Sequence, residues 1–220
     1  MPQRPSALLA CAWVLGLAAT LAGAQPERAP ATRGDAAARL AEAQADPRLA
    51  ETLLRNGRKV AGFCANCHGD NGNSSKPDVP NLAGQNGAYL LEQMRQFAAG
   101  ARRNEFMEGV IKAMSADERA AIVLFYAAQR VEPHPAADAA LTALGADLFQ
   151  KVCVRCHGAQ GLGNDKIARI AGQQPEYLRL TLKRYRSGTG PRTDPLMAAN
   201  TRLLTDAHIE GLVAYVSTMR

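Results

Sequence analysis

Apolar side chains recur at helical spacing in three stretches of the first half of the chain. The first stretch follows Pro47, a residue that is tolerated in the first turn of a helix. The second runs from about Gly87 to Ala99, and the third follows Ser115. The apolar positions of the three faces are Leu49, Leu53, Leu54 and Val60; Tyr89, Leu90, Met94 and Phe97; and Ile122, Val123, Phe125 and Tyr126. This pattern predicts an all-α fold.

Polar and glycine-rich segments separate the predicted helices. Residues 69–75 have the composition of a loop, and residues 101–109, which include Met107, are predicted as a polar, irregular stretch. Ser115 is predicted to cap the third helix, because Glu118 three residues later completes a capping box.

The second half of the chain repeats the first. At an offset of 88 positions, Gly57 corresponds to Gly145, residues 82–85 (LAGQ) to residues 170–173 (IAGQ), Tyr89 to Tyr177, and Phe97 to Tyr185. A two-residue insertion then moves the offset to 90, which pairs Ser115 with Thr205 and Phe125 with Tyr215. The repeat predicts two tandem copies of one helical unit of roughly 80–90 residues.

The N-terminus has the pattern of a secretory leader. Arg4 provides the positive start, residues 7–21 are an apolar run too short to span a membrane comfortably, and residues 22–24 (AGA) form a small-residue cleavage site. The sequence therefore predicts a signal peptide over residues 1–24 and a location in the periplasm. The fifth cysteine, Cys11, lies inside this leader, so the mature chain keeps four.

The rest of the chain divides around two linking segments. Residues 25–46 are rich in Ala, Arg and Pro and are predicted as a flexible lead-in that is partly helical from Asp35. Residues 131–137, which contain Pro133 and Pro135, are predicted as a linker. The expected domains are residues 47–130 and 138–220.

The charge of the chain limits the classes of partner. The formal net charge is +6, and no basic stripe stands out, so the sequence does not favour nucleic-acid binding. The expected partners are proteins, with at most peripheral contact with a membrane. A local basic rim could guide the docking of acidic redox proteins.

Two CxxCH motifs provide the candidate chemistry. Cys64, Cys67 and His68 form the first, and Cys153, Cys156 and His157 form the second; CxxCH is the attachment signature of c-type haem. Two thiols one helical turn apart can add to the vinyl groups of one haem, and the adjacent histidine then meets the iron. Two covalently bound haem c groups would also supply large flat apolar bodies to a chain with only 5% aromatic residues.

Three other interpretations of the cysteines remain. A structural zinc site would bring the two CxxC pairs closer in sequence, typically about 15–20 residues apart. A thioredoxin-like CxxC would follow a strand, whereas helical patterns precede both motifs. Two structural disulfides would suit an oxidising compartment, but they would give the histidines no role.

The repeat also selects a sixth ligand for each iron. Met107 corresponds to Met197, which is expected in a loop after the second motif. By contrast, Met114 corresponds to Leu204 and Met94 to Leu182, so these positions are predicted to be apolar packing sites. Met219 lies next to the C-terminus and is also expected to pack. The predicted axial ligands are therefore His68 with Met107, and His157 with Met197.

Taken together, the leader, the doubled CxxCH, the repeated (L/I)AGQ block followed by Tyr-Leu, and the late Met before a capped helix resemble the dihaem class I cytochromes c of the cytochrome c-four group. The resemblance covers residues from about 48 to 220. It implies two tandem monohaem cytochrome c domains, haems that meet near the domain interface, and electron delivery toward a terminal oxidase. It also implies that the Pro80 carbonyl accepts a hydrogen bond from His68. Ala168 stands at the matching position of the second half, so the partner of His157 stays open.

Electron transfer without catalysis is the expected function, with a respiratory donor and a terminal oxidase as partners. Two alternatives remain. The chain could be the cytochrome subunit of a periplasmic dehydrogenase, such as a sulfide-oxidising flavoprotein. It could also be a dihaem peroxidase, although matched Met ligands in both halves argue against the open iron site that a peroxidase needs.

Overall fold

The first half forms a helix at each place where the apolar pattern predicted one. The computed structural model describes residues 35–136 and 138–220, so the predicted leader over residues 1–24 lies outside the described residues. No β-strand occurs in these two ranges, as expected for an all-α fold. The helices of the first half are α1 (Ala36–Ala45), α2 (Pro47–His68), α3 (Gly87–Ala98), α4 (Glu105–Ala113) and α5 (Ala116–Ala127). The capping box of Ser115 and Glu118 is confirmed.

The segment before α2 contains the helix that was predicted to begin at Asp35. Asp35 caps α1 because its carboxylate accepts a hydrogen bond from the Ala37 N–H. Leu40 and Ala43 are buried against the other helices of the first half. The helix predicted from Asp35 is therefore observed as α1, and two of its apolar side chains complete the core of the first half.

The second half repeats the helices of the first, with one local change. Its helices are α6 (Ala139–Leu148), α7 (Val154–His157), α8 (Pro175–Ser187), α9 (Pro195–Thr201) and α10 (Asp206–Val216). A π-helical turn over Phe149–Cys153 joins α6 to α7. This three-part segment corresponds to α2, and α8, α9 and α10 correspond to α3, α4 and α5.

Two short helices replace segments that were predicted as loops. The polar stretch over residues 101–109 was expected to be irregular, but α4 begins at Glu105 after its N-cap Asn104. Met197 was expected in a loop and lies in α9, which Asp194 caps. Because each cap satisfies free N–H groups of the first turn, a short helix forms where polar composition suggested a loop.

Each half has its own core, built where α2 crosses α5 in the first half and where α6 crosses α10 in the second. Gly57 in α2 lies against the backbone of Ala121 in α5, and Gly145 in α6 lies against Gly211 in α10. Large buried side chains fill the space around each crossing, among them Ile122, Phe125 and Tyr126 in the first half and Phe149, Ile209 and Leu212 in the second. The cores therefore repeat as the sequence does.

The two halves belong to one compact unit and share a polar interface. Side-chain amides of one half bond to backbone carbonyls of the other: Asn86 Nδ2 donates to the Leu162 oxygen at 3.0 Å, and the Gln174 amide donates to the Ser74 oxygen. The N–H of Tyr177 also donates to the Pro77 oxygen at 3.0 Å. In the segment predicted as a linker, the His134 N–H donates to the Ser217 oxygen at 2.9 Å, and its side chain is half-buried.

Within residues 35–136 and 138–220, no helix combines the length and the apolar character needed to cross a bilayer.

Candidate haem-binding sites

Both CxxCH motifs end a helical segment. Cys64 and Cys67 lie one turn apart near the end of α2, and His68 is its last residue. In the second half, Cys153 ends the π-helical turn, and Cys156 and His157 complete α7. A glycine with positive φ follows each histidine, Gly69 at 78° and Gly158 at 77°, and turns the chain away at once. The motif residues therefore project from a rigid helix end rather than from a loop.

The four thiols in the described residues are free and form no disulfide. Burial raises the pKa of Cys64, and it raises the pKa of Cys153 to about 11, so both are protonated thiols at neutral pH. A thiolate is the form that binds zinc and exchanges disulfides, and burial disfavours it here. Moreover, no cluster of three or more His, Cys, Asp and Glu side chains suited to a metal ion forms in residues 35–136 or 138–220. The two motifs therefore do not combine into one zinc site.

Each motif histidine is buried and held through one ring nitrogen. Nδ1 of His68 lies 2.9 Å from the Pro80 carbonyl oxygen, as the resemblance implied. Nδ1 of His157 lies 2.9 Å from the Ala168 carbonyl oxygen, which answers the question that the alanine left open. Burial lowers the pKa of both histidines, so both are neutral near pH 7. A neutral imidazole that donates from Nδ1 leaves Nε2 free to bind a metal.

Met107 and Met197 occupy equivalent places in α4 and α9. Each is the third residue of its helix, and its N–H donates to the N-cap side chain, Asn104 at 2.9 Å and Asp194 at 3.0 Å. The caps fix the orientation of the first turn in both halves. The irregular backbone that was expected around these methionines is therefore replaced by a capped helical turn.

Side-chain contacts join each of these short helices to the CxxCH segment. In the first half, the rings of Phe63 and Phe106 stack with their centroids 6.3 Å apart. These residues directly precede Cys64 and Met107. In the second half, the Arg155 guanidinium lies 3.5 Å from Asn200 Oδ1, which connects the second motif to α9. These contacts place α4 beside the first CxxCH segment and α9 beside the second.

The remaining methionines pack in the cores. Met94 and Met114 lie against the core of the first half, as predicted. Their counterparts Leu182 and Leu204 pack in the second core together with Met219. Met107 and Met197 are absent from the described core clusters and are half-buried. The packing thus separates the two predicted ligands from the other methionines.

An arginine–tyrosine cluster lies between the halves and consists of Arg102, Arg192, Tyr89, Tyr177 and Gln93. The guanidinium of Arg102 donates to the Tyr177 hydroxyl at 3.1 Å and to Gln93 Oε1 at 2.8 Å. The guanidinium of Arg192 donates to the Tyr89 hydroxyl at 3.1 Å and to the same Gln93 oxygen at 3.2 Å. Each arginine therefore bonds to the tyrosine of the opposite half.

This arginine–tyrosine cluster has an excess of positive charge. Within the described residues neither Arg102 nor Arg192 pairs with a carboxylate, although each stacks on an aromatic ring of its own half. Burial would raise the pKa of Tyr177, but the charges of Arg192 and Arg102 outweigh it and lower the pKa to about 8. The cluster therefore favours anions. Its arginines were missed in the sequence, although the repeat offset of 90 pairs them.

The donor set fits covalent haem in both halves. Paired free thiols one turn apart, an oriented neutral histidine and a methionine held outside the core occur twice, in equivalent positions. Cationic groups without carboxylate partners suit the carboxylate substituents of haem.

Two family models match the chain, one in each half. The model described as cytochrome c matches residues 54–126. The model described as cytochrome c oxidase, cbb3-type, subunit III matches residues 140–216.

Individual relatives span most of both halves. The chain is 31% identical to cytochrome c4 of Pseudomonas aeruginosa over 73% of this chain and 85% of that protein. It is 30% identical to the thiosulfate dehydrogenase electron acceptor of Thiomonas intermedia over 71% of this chain and 78% of that protein. The crystal structure of reduced recombinant cytochrome c4 from Pseudomonas stutzeri superimposes with a TM-score of 0.69, at 29% identity, over 76% of this chain and 98% of that one.

Proposed function

This chain belongs to the cytochrome c4 family of dihaem class I c-type cytochromes, and from that membership we propose that it is a periplasmic carrier of single electrons between two redox proteins. It has two tandem cytochrome c domains with two covalently bound haem c groups, and its role is electron transport. The observation that most supports the proposed carrier is the duplicated site, in which each motif histidine is held through Nδ1 by a backbone carbonyl.

We propose the following roles for the site residues. Each haem supplies a one-electron iron couple when bound. Cys64 and Cys67 attach the first haem and Cys153 and Cys156 the second, through thioether bonds. His68 and Met107 bind the first iron, and His157 and Met197 the second. The carbonyl partner of each histidine fixes the ring orientation and raises the basicity of Nε2, while Asn104 and Asp194 hold the methionine helices in place.

The arginine–tyrosine cluster is proposed to bind carboxylate groups of the haems at the interface. Arg102 and Arg192 have no carboxylate partner in the described residues, and bidentate pairing with carboxylates is the strongest hydrogen bonding that a guanidinium makes. Since each arginine also bonds to the opposite half, it would connect the surroundings of the two haems.

The proposed location and domain division follow the sequence. The leader over residues 1–24 supports export, and the domains are placed at residues 47–130 and 138–220, joined by residues 131–137. We add α1 to the first domain, since Leu40 is buried in its core.

We propose one class of electron donor and one class of electron acceptor. The relative named as a thiosulfate dehydrogenase electron acceptor supports a periplasmic dehydrogenase as the donor. A terminal oxidase is the proposed acceptor. To test these routes, the purified holoprotein is mixed in a stopped-flow instrument with thiosulfate dehydrogenase plus thiosulfate, and separately, after reduction, with oxidase-containing membranes. Reduction in the first mixture and reoxidation in the second are expected; failure of both would contradict the proposed carrier.

The covalent attachment is tested by chemical analysis of the exported protein. Haem staining should persist on a denaturing gel after acid–acetone extraction, and the mass should equal a chain starting near Gln25 plus two haems. One haem, or none, would contradict the assignment.

Carbon monoxide separates the carrier from a dihaem peroxidase. Because Met107 and Met197 are proposed to occupy the sixth position of each iron, the reduced native protein should not bind carbon monoxide. Binding at one iron in the native protein would favour the peroxidase.

A further inference from the structure

Two peptide bonds of the interface carry hydrogen bonds at both ends. The carbonyl of Pro80 accepts from His68, and the N–H of the same peptide unit, that of Asn81, donates to Gln173 Oε1 at 2.6 Å. The Gln173 amide nitrogen in turn donates to the Asn81 carbonyl at 3.1 Å. The glutamine belongs to the second half of the chain, while the histidine belongs to the first.

An equivalent arrangement holds the histidine of the second half, and here the glutamine belongs to the first half. The carbonyl of Ala168 accepts from His157, and the N–H of Arg169 donates to Gln85 Oε1 at 2.8 Å. The Gln85 amide nitrogen donates to the Arg169 carbonyl, also at 2.8 Å. Gln85 and Gln173 are equivalent in the repeat, so the two arrangements are related as the two sides of an isologous interface are.

The side chains at both ends of these two hydrogen-bonded arrangements are buried, while Pro80, Ala168 and Arg169 are half-buried. Gln85 and Gln173 are 6% and 7% exposed, Asn81 is 5% exposed, and the two histidines are 9% and 8% exposed. In such surroundings hydrogen bonds in series polarise one another. A peptide unit is planar and conjugated, so an acceptor on its N–H makes its carbonyl oxygen a stronger acceptor.

From this geometry we propose that Gln85 and Gln173 are positioning residues that tune the reduction potential of the haem in the opposite domain. Gln173 acts through the 80–81 peptide on His68, and Gln85 acts through the 168–169 peptide on His157. The proposal rests on the proposed function, in which these histidines bind iron. Stronger acceptance from Nδ1 makes the histidine a more basic ligand, which stabilises oxidised iron and lowers its potential.

The experiment replaces each glutamine in the holoprotein and measures both potentials. Gln173→Met removes the acceptor while keeping the length of the side chain, so the potential of the haem at His68 should rise. The expected change is up to about tenfold in the ratio of oxidised to reduced iron, or about 59 mV for one electron. The haem at His157 should keep its potential. Gln85→Met should give the opposite pattern.

Two further variants distinguish the proposal from a general weakening of the interface. Gln173→Glu keeps an oxygen that accepts from the Asn81 N–H, so the potential should stay at or fall below the wild-type value. This variant also serves if Gln173→Met folds poorly. Asn86→Ala removes bonds to the Leu162 and Ile167 carbonyls of the other half but none on the 168–169 peptide, so both potentials should remain unchanged.

The haem signals are followed by NMR during stepwise oxidation and are assigned to each domain with the Met107→Ala protein. Equal shifts of both haems, a shift in the glutamine's own domain, or no shift in either Met variant would overturn the proposal. These outcomes differ from failure of the proposed function, which would show as wild-type protein without two low-spin haems.

Discussion

At the scale of single residues, the surroundings of a methionine decide what it does. Met107 is half-buried in a capped first turn and lies outside the first core. Met114 packs against that core and stands just before the Ser115 cap. An apolar side chain there adds to the packing whether or not it contains sulfur, whereas a ligand requires the sulfur itself.

We therefore expect Met107→Ala and Met114→Leu to behave differently. Met107→Ala should remove about half of the sulfur-to-iron absorption band of the oxidised protein, open one iron to carbon monoxide and lower one of the two potentials. Met114→Leu should leave the band intact and cost under about 1.5 kcal/mol, as volume-conserving core substitutions usually do. Absorption spectra and potentiometry measure both effects.

The matched variant in the second half is Met197→Ala, which should remove the other half of the band. Loss of one haem's band in Met114→Leu, together with an unchanged band in Met107→Ala, would show that the assignment based on the repeat is wrong.

At the scale of the elements, the close crossing of α2 and α5 depends on the absence of one side chain. A Cβ on Gly57 would overlap the carbonyl oxygen of Ala121 and approach Phe125. Gly145 has the same relation to Gly211 in the crossing of α6 and α10. Gly62, in the same helix as Gly57, has no such neighbour.

Alanine substitutions at Gly57 and at Gly62 should therefore change the free energy of unfolding in opposite directions. Gly57→Ala forces the helices apart, and overpacking of this kind typically costs about 1–3 kcal/mol. Gly62→Ala should stabilise the holoprotein by about 0.5–1 kcal/mol, because alanine loses less conformational freedom than glycine in a helix. Denaturant unfolding of the two variants measures both changes, and equal effects would refute a role for the crossing.

The sequence predicted the longer helices of the first half, and it missed the short helix α4 and its counterpart α9. The helix expected over residues 87–99 is observed as Gly87–Ala98, because four apolar residues define its inner face. The short helices α4 and α9 directly follow polar segments and were missed, although their caps Asn104 and Asp194 were visible signals. The packing of α1 depends on contacts with distant helices, which an alanine-rich segment does not reveal.

At the scale of the whole molecule, side-chain chemistry was predictable and backbone chemistry was not. The CxxCH pairs and the methionines are recognisable as residue types at given spacings, and the helices that carry them contact each other in each half. The Ala168 carbonyl that holds His157 could not be read from the alanine, since every residue has a carbonyl. The repeated (L/I)AGQ block was evident, but its role depends on how the two halves face each other.

The duplicated architecture also makes folding dependent on the haems. Each half is small, and small domains are only marginally stable because they bury a small fraction of their surface on folding. Aromatic residues make up only 5% of the chain, so two haems would add a large share of the flat apolar surface available for burial. Ordering the chain costs roughly 1–2 kcal/mol per residue in backbone entropy, and the burial of apolar surface offsets this cost. Loss of both haems should remove a decisive part of that buried surface.

We therefore predict that the chain expressed in the cytosol without residues 1–24 is haem-free and has little stable structure. Its far-UV circular dichroism should show reduced helix content, and its urea unfolding should be gradual. The exported protein should unfold in a cooperative transition. An exported variant with Cys64→Ala, Cys67→Ala, Cys153→Ala and Cys156→Ala is the matched control, because it passes through the same compartment without attachment sites. Cooperative unfolding of either haem-free protein at the holoprotein's midpoint would show that the apolar clusters suffice without haem.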